Sequence, residues 1–160
     1  MHAALQYLKY ENCSDVQEVK AEIHRLITEG FLTQEQGALV NGEKLARFFQ
    51  TEPGRKLRSG APCLREFKFS ILDDGCHYGE GLEGEQVLLQ GVVDCALLES
   101  EGITVIDFKT DRVTEETVCA AVERYSLQVQ TYADALSRIY EMPIKQKMLY
   151  FFALDRFMEL

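Results

Sequence analysis

The first 60 residues place hydrophobic positions three or four apart, which is the pattern of amphipathic helices. Pro53-Gly54 interrupts the last of these periodic segments, and we expect it to close that helix. The N-terminal part of the chain is therefore predicted to be α-rich. The predicted helices cover residues 1–10, 15–29, a short segment after Thr33, and 42–50.

Polar residues at the boundaries of these segments suit helix caps. Ser14 is a suitable N-cap for the helix over 15–29, and Gly30 is a suitable C-terminal stop. Thr33 and Gln36 have the spacing of a capping box. Asn41 is the expected N-cap of the helix over 42–50.

After residue 62 the pattern changes to the alternation of β-strands, broken by one long helical segment over 114–140. Pro143 should stop that helix, so that the last strand crosses over to lie beside "ITVIDFKT". No repeat or interdomain linker is visible, and we predict one α/β domain over 1–160 with a mixed sheet of four or five strands flanked by helices. The predicted strands cover 64–72, 85–100, 103–110 and 145–154, with a polar, glycine-rich connection over 73–81.

The turn between the second and third strands sets their register. If Ser100-Glu101 is a two-residue hairpin loop, Glu99 pairs with Gly102. Continuing that register places Asp94 directly across from Asp107, about 5 Å apart at Cβ and on one face. Two like charges at this distance are costly unless a positive group lies between them.

Strand alternation also places Lys109 on the face of Asp107, and we expect Phe108 and Val93 to be buried on the other face. Two converging carboxylates with a lysine beside them are typical of a Mg²⁺ site. A cross-strand salt cluster of Asp94, Lys109 and Asp107 explains the same pattern, so the residues alone leave both interpretations open.

Three polar residues of the long helix share one face. Tyr125, Gln128 and Tyr132 are spaced i, i+3, i+7. Such a stripe suits a polar pocket in which the side chains hydrogen-bond a lysine or a phosphate. The alternative is a helix boundary whose tyrosine hydroxyls reach water.

Charge along the chain is uneven. The formal net charge is −9, which does not favour nucleic-acid binding by the whole surface. Residues 44–68, however, contain seven basic and two acidic residues. This segment is either an ordinary charged helix surface or a patch that meets phosphates. Its basic residues are Lys44, Arg47, Arg55, Lys56, Arg58, Arg65 and Lys68.

Composition indicates a cytoplasmic protein. Hydrophobic residues make up 46% of the chain, but no apolar run is long enough to span a bilayer. The N-terminus lacks the basic and small-residue features of a signal peptide. The five cysteines are scattered with no C-x-x-C pair, which indicates reduced thiols rather than a disulfide framework or a clustered cysteine metal site.

The segments "GVVDCALL", "VIDFKTDRV" and "RYSLQVQTYADAL" together resemble the PD-(D/E)XK nuclease superfamily. They are most similar to the nuclease domain at the C-terminus of bacterial helicase–nuclease subunits of the AddA (RexA) type. The resemblance extends over 1–160 and is most specific over residues 90–136. It implies the restriction-endonuclease-like core order αβββαβ and a terminal hairpin in "LYFFALDRFMEL".

The resemblance also implies a ligand set for Mg²⁺, which Mn²⁺ can replace and Ca²⁺ can occupy without activity. The implied ligands are His2, Asp94, Asp107 and the backbone carbonyl of Phe108. Helix ends fray, so we expect His2 to be turned away from the site unless a metal binds it, with its helix beginning a residue or two later.

Three further residues carry implied catalytic roles. Lys109 would orient or activate the attacking water, while Gln128 and Tyr132 would position Lys109 or the DNA backbone. Glu66 could reach the site through water, but an ordinary surface salt bridge to Arg65 or Lys68 is the preferred interpretation.

The implied function is a metal-dependent deoxyribonuclease domain, an exonuclease in the full complex, which processes DNA ends in double-strand-break repair and recombination. The implied partners are a DNA single strand fed by a helicase motor, a helicase part of the same polypeptide, and a second subunit of AddB/RexB type. The four-cysteine iron–sulfur set of AddB-type relatives is absent. Two alternatives remain open: a vestigial module that holds DNA or serves in subunit docking, and an α/β domain with a surface salt cluster and no catalysis.

Overall fold

The five strands form one mixed sheet in the order β1-β2-β3-β4-β5, in a computed structural model that describes residues 1–77 and 79–160. The third and fourth strands are parallel, and the other neighbours are antiparallel. This confirms the predicted α/β class, the αβββαβ core order and the terminal hairpin. The elements are α1 (His2–Tyr7), α2 (Val16–Thr28), α3 (Gln34–Ala38), α4 (Gly42–Gln50), α5 (Glu52–Arg58), β1 (Cys63–Asp74), β2 (Gln86–Glu99), β3 (Gly102–Lys109), α6 (Val118–Tyr140), β4 (Ile144–Phe151) and β5 (Arg156–Glu159).

Local hydrogen bonding explains where the N-terminal helices begin. The Thr33 and Gln36 capping box is present at α3, and the Asn41 side chain caps α4. The predicted Ser14 cap of α2 is wrong by one residue. Asp15 accepts the backbone N–H groups of positions 17 and 18, and a carboxylate there also complements the positive end of the helix.

The prediction that Pro53-Gly54 closes the last N-terminal helix is wrong. Pro53-Gly54 lies in the first turn of α5, where proline is tolerated because its missing N–H has no helical partner in any case. Thr51 ends α4 and caps α5 with its side chain. A Cβ on Gly54 would overlap the backbone of Phe48 and Phe49, so glycine lets the two helices pack this closely.

The connection between β1 and β2 begins two residues later than the predicted start at residue 73. Strand β1 continues through Asp74, and Gly75–His77 form a 3-10 turn before β2 begins at Gln86. Tyr78, which belongs to the predicted connection, lies outside the described residues.

The sheet separates two hydrophobic clusters. One face packs against the N-terminal helices, and its buried members include Cys95, Leu97 and Phe108. The other face packs against α6, and Val93 and Ala96 are among its members. The site described below lies where both layers meet the end of β3.

The hairpin of β2 and β3 has the predicted register. Glu99 pairs with Gly102, and the register continues without a break to Cys95 and Ile106. Asp94 and Asp107 are the next residues along the two strands and lie just beyond this ladder, so their placement directly opposite each other on one face stays a prediction.

Both strands of the β1–β2 hairpin change their facing pattern at one level. Cys95 contacts the layer of N-terminal helices, yet Val93, two residues away, contacts the α6 layer. The prediction that Val93 shares the face of Phe108 is therefore wrong, although both are buried. At the same level of β1, Glu66 has φ of 46°, which breaks the regular alternation of the strand.

Helix α6 crosses over to bring β4 parallel to β3, as predicted. None of the helices in the described part of the chain is long and apolar enough to cross a membrane. All five cysteines are free thiols, in agreement with the sequence analysis.

Candidate metal-binding active site

An open cleft of about 390 Å³ lies at the carboxyl end of β3, between α1 and α6. The structure brings all seven sequence-predicted site residues to this cleft, together with Tyr125 of the predicted helix stripe and three further residues. Its lining residues are His2, Glu66, Asp94, Asp107, Phe108, Lys109, Thr110, Asp111, Tyr125, Gln128 and Tyr132.

The backbone of Phe108 is held on both of its polar groups. Its N–H donates to Asp94 Oδ2 at 2.8 Å, and its carbonyl accepts from His2 Nε2 at 2.8 Å. The same imidazole nitrogen lies 3.3 Å from Asp94 Oδ2. Three of the predicted metal-binding groups therefore contact one another across the end of β3.

His2 is turned toward the site and lies in the first turn of α1, so the expected outward orientation and late helix start are wrong. Helix α1 begins at His2, and the contacts with Phe108 and Asp94 hold its imidazole inward. Hydrogen bonding to Asp94 is the main cause that raises the pKa of His2 above its usual value, and burial opposes it. The site therefore favours a protonated imidazole next to the carboxylate.

Asp107 is a buried carboxylate, with 2% of its surface exposed. Its Oδ2 atom lies 2.7 Å from Lys109 Nζ. Burial is the largest cause that raises the pKa of Asp107, the charge of Asp94 adds to it, and Lys109 opposes it. Two carboxylates and one ammonium thus share a poorly hydrated corner of the cleft.

The stripe predicted on the long helix faces Lys109. Lys109 Nζ donates to Gln128 Oε1 at 3.0 Å, and Gln128 Nε2 donates to the Tyr132 hydroxyl at 2.8 Å. The ammonium also lies 3.7 Å from the ring centroid of Tyr125. A carboxylate, an amide and an aromatic face therefore restrict the lysine to one orientation.

Gly91 explains how Tyr132 reaches this network. A Cβ at this position would lie 2.8 Å from Tyr132 Cε1 and 2.7 Å from Phe69 Cε1, both closer than van der Waals contact. Only glycine lets the two rings cross the strand here, three residues before Asp94.

Two acidic residues outside the predicted ligand set also line the cleft. Glu66 lines the cleft instead of forming the expected surface salt bridge, and burial and Asp94 raise its pKa. Asp111, which the sequence analysis did not assign to the site, lines the cleft and accepts from the Tyr125 hydroxyl at 2.6 Å. The face change in β1 that carries Glu66 inward has no signature in the alternation pattern, so no sequence signal marks that residue.

The predicted ligands have the chemistry of a divalent metal site but are not closed around one point. Among the residues that the structure describes, no group of three or more His, Cys, Asp or Glu side chains surrounds a common centre. Buried Asp107 Oδ2 makes no hydrogen bond of good geometry, and its contact with Lys109 is an ion pair. That carboxylate oxygen, Asp94 and the Phe108 carbonyl are hard ligands that fit Mg²⁺, and the imidazole of His2 adds one suited to Mn²⁺. The residues therefore fit a divalent cation.

The basic segment over 44–68 is largely engaged with the protein itself. Arg47 pairs with Asp155 at 2.7 Å, and Lys56 pairs with Glu99 at 2.9 Å. Arg65 stacks on the ring of Tyr10. These contacts favour the interpretation as a structural surface over a free phosphate-binding patch.

The mixed sheet with helices on both sides, and two aspartates and a lysine at the end of adjacent strands, place the protein in the restriction-endonuclease-like α/β class. The chain belongs to the PD-(D/E)XK nuclease superfamily, whose family model matches residues 1–158. Members of this superfamily generally use divalent metal ions.

Curated relatives are ATP-dependent helicase/nuclease subunits of the A type. The protein of Clostridium botulinum (strain Loch Maree / Type A3) is 30% identical over 165 residues, which cover 100% of this chain and 13% of the relative. The protein of Bacillus cereus (strain AH820) is 32% identical over 162 residues, 95% of this chain and 13% of the relative. The protein of Alkaliphilus oremlandii (strain OhILAs) is 30% identical over 159 residues, which cover 98% of this chain and 13% of the relative. The chain thus spans about one eighth of the length of these relatives, and the resemblance seen in the sequence is confirmed.

Proposed function

We propose that this chain is a metal-dependent deoxyribonuclease domain that hydrolyses phosphodiester bonds in single-stranded DNA. The observation that carries this proposal is the convergence of Asp94, Asp107 and Lys109 in one cleft, with the ammonium oriented by Gln128. A salt cluster needs neither the cleft nor the polar helix stripe, so the catalytic interpretation accounts for more of the structure.

The proposed metal ligands are His2, Asp94, Asp107 and the carbonyl of Phe108, with Mg²⁺ as the ion, Mn²⁺ able to replace it and Ca²⁺ binding without activity. When bound, the ion would polarise the phosphate and favour deprotonation of the attacking water. Asp94 also accepts the Phe108 N–H, which orients the strand end and its carbonyl. The proposed site uses no iron–sulfur cluster.

Lys109 is the proposed catalytic cation. Its ammonium lies 2.7 Å from Asp107 Oδ2 and would offset the negative charge that develops on the phosphate, an effect that is stronger in a poorly hydrated corner. Gln128 and Tyr132 keep the lysine oriented, so that little reorganisation is needed when the substrate binds.

The relatives support a larger assembly. Their name combines a helicase and a nuclease, and this chain covers about 13% of their length. We therefore place the domain in an ATP-dependent helicase–nuclease that processes DNA ends as an exonuclease in double-strand-break repair and recombination. A helicase part of the same polypeptide would feed the single strand, and a second subunit of AddB/RexB type would complete the complex in the cytoplasm.

The test is cleavage of an end-labelled single strand by the 160-residue chain in Mg²⁺, in Mn²⁺ and in chelator. Asp107→Asn should abolish cleavage, whereas Asp134→Asn should retain it, because Asp134 is exposed on α6 and contacts Gln130 outside the cleft. DNA binding without cleavage in either metal would support the vestigial module instead. In the complete polypeptide, Asp107→Asn should retain ATP-dependent unwinding while losing cleavage.

A further inference from the structure

A second cavity, of about 430 Å³, adjoins the cleft and shares Asp111 with it. Arg112, Thr117 and Arg124 line this cavity, on the segment that leads into α6 and on its first turns. Among the residues that the structure describes, neither Arg112 nor Arg124 forms an ion pair with a carboxylate. Asp111, the acidic residue of the cavity, accepts from the Tyr125 hydroxyl at 2.6 Å.

The ring of Tyr125, which lines the cleft, lies near one cation of each cavity. Lys109 Nζ lies 3.7 Å from the ring centroid on the cleft side, and the guanidinium carbon of Arg124 lies 4.7 Å from the same centroid. The ammonium and the guanidinium are therefore no more than 8.4 Å apart. This upper limit leaves the two groups close enough to meet neighbouring phosphates of one nucleic-acid strand.

Local charge supports an anionic ligand in the second cavity. The first turn of α6 carries no acidic residue, and its helix dipole presents positive charge on this side. Glu116 and Glu123 are exposed nearby and oppose the effect, but neither lines the cavity. Arg112 and Arg124 are the basic residues that line this second cavity, which adjoins the cleft.

We propose that Arg112 and Arg124 bind the backbone phosphate next to the one that Lys109 meets, so that the strand runs from the cleft across Tyr125 into the second cavity. The proposal rests on the proposed function for the identity of the ligand as a nucleic-acid strand. Guanidinium groups suit this role because one guanidinium can donate two parallel hydrogen bonds to two oxygens of the same phosphate.

The experiment measures binding of a labelled oligothymidylate strand by fluorescence anisotropy in chelator, over a range of salt concentrations. Arg112→Ala/Arg124→Ala should weaken binding at low salt roughly tenfold or more, since hydrogen bonds to charged groups are lost. It should also reduce the slope of log K against log salt by about 1.4, the value for two lost contacts on a single strand. Arg124→Lys combined with Arg112→Lys should restore the slope but only part of the affinity, because lysine lacks the fork.

The matched control is Lys20→Ala/Arg47→Ala, which removes the same charge from helices α2 and α4, away from both cavities. This control should leave affinity and slope within twofold of the wild type. Equal behaviour of the two double variants, or no binding by the wild type at the lowest salt, would overturn the proposal. Thermal unfolding of each variant excludes a folding defect.

A parallel cleavage assay separates this proposal from the proposed function. Metal-dependent cleavage by the wild type, together with unchanged binding by Arg112→Ala/Arg124→Ala, would refute the phosphate subsite and leave the nuclease intact. Loss of binding in that variant, together with a wild type that does not cleave, would support the subsite and refute the nuclease.

Discussion

Gly91 offers a sharp test of how the sheet supports the site. A Cβ added there would lie 2.7 Å from Phe69 Cε1 and 2.8 Å from Tyr132 Cε1. Such distances are too short for carbon atoms, so at least one ring must move. Overpacking of this kind costs about 1–3 kcal/mol, and at about 2–4 °C per kcal/mol for a chain of this size Gly91→Ala should lower Tm by about 2–12 °C.

The same displacement should reach the catalytic lysine. Tyr132 accepts from Gln128, which in turn accepts from Lys109, so a shifted ring disturbs the orientation of the ammonium. We expect Gly91→Ala to reduce cleavage roughly tenfold to a hundredfold, the order of effect of a misplaced catalytic group.

Urea unfolding and single-strand cleavage measure the two effects. The control is Gly42→Ala, where a Cβ would meet its nearest atoms at 3.4–3.7 Å and should change stability by less than about 1 kcal/mol. In a Tyr132→Ala background, Gly91→Ala should cost less by about 0.5 kcal/mol or more. Equal stability and activity of Gly91→Ala and Gly42→Ala would refute the reasoning.

Three further predictions concern the charged groups of the cleft. Because the pKa of His2 is raised, its pairing with Asp94 stabilises the fold fully below pH 6.5, and this contribution is lost as pH rises through the folded-state pKa. The difference in unfolding free energy between wild type and His2→Ala, measured in chelator, should therefore shrink with rising pH. A constant difference would contradict the pairing. Because the pKa of Asp107 is raised, ionisation of this carboxyl costs stability once pH rises above 3.8. Asp107→Asn should therefore exceed the wild type in unfolding free energy at neutral pH, and this gain should vanish near pH 3.8. A less stable variant at neutral pH would show that the ion pair with Lys109 outweighs burial. Glu66→Gly should be more stable than Glu66→Ala by about 1 kcal/mol in urea unfolding, because only glycine adopts φ of 46° without strain, and equal stabilities would argue against that backbone conformation.

Features set by local chemistry were predictable from the sequence. A two-residue loop after Glu99 determines the register of β2 and β3 as far as Cys95 and Ile106, the residues next to Asp94 and Asp107. Helical spacing alone places Gln128 and Tyr132 on one face, where both line the cleft. The resemblance added His2, which lies far from the other residues in the sequence.

Features set by tertiary contacts were not predictable. Pro53 is compatible with both the end of a helix and the start of one, and the close packing of α4 on α5 decides between them. The face change that brings Glu66 to the cleft and turns Val93 toward α6 breaks the alternation on which strand predictions depend. The basic residues of 44–68 form a patch in the sequence because their partners, such as Asp155, are distant along the chain.

In the proposed mechanism Lys109 acts on the substrate while Asp94 and Asp107 hold the metal. The most direct measurement combines Mn²⁺ titration by calorimetry with single-strand cleavage for Lys109→Ala and Asp107→Ala. We expect Lys109→Ala to lose cleavage while binding Mn²⁺ as tightly as the wild type or more tightly, because a neighbouring positive charge is removed. Asp107→Ala should lose both cleavage and Mn²⁺ binding. Near-full cleavage by Lys109→Ala would contradict the account and leave the lysine as a structural partner of Asp107.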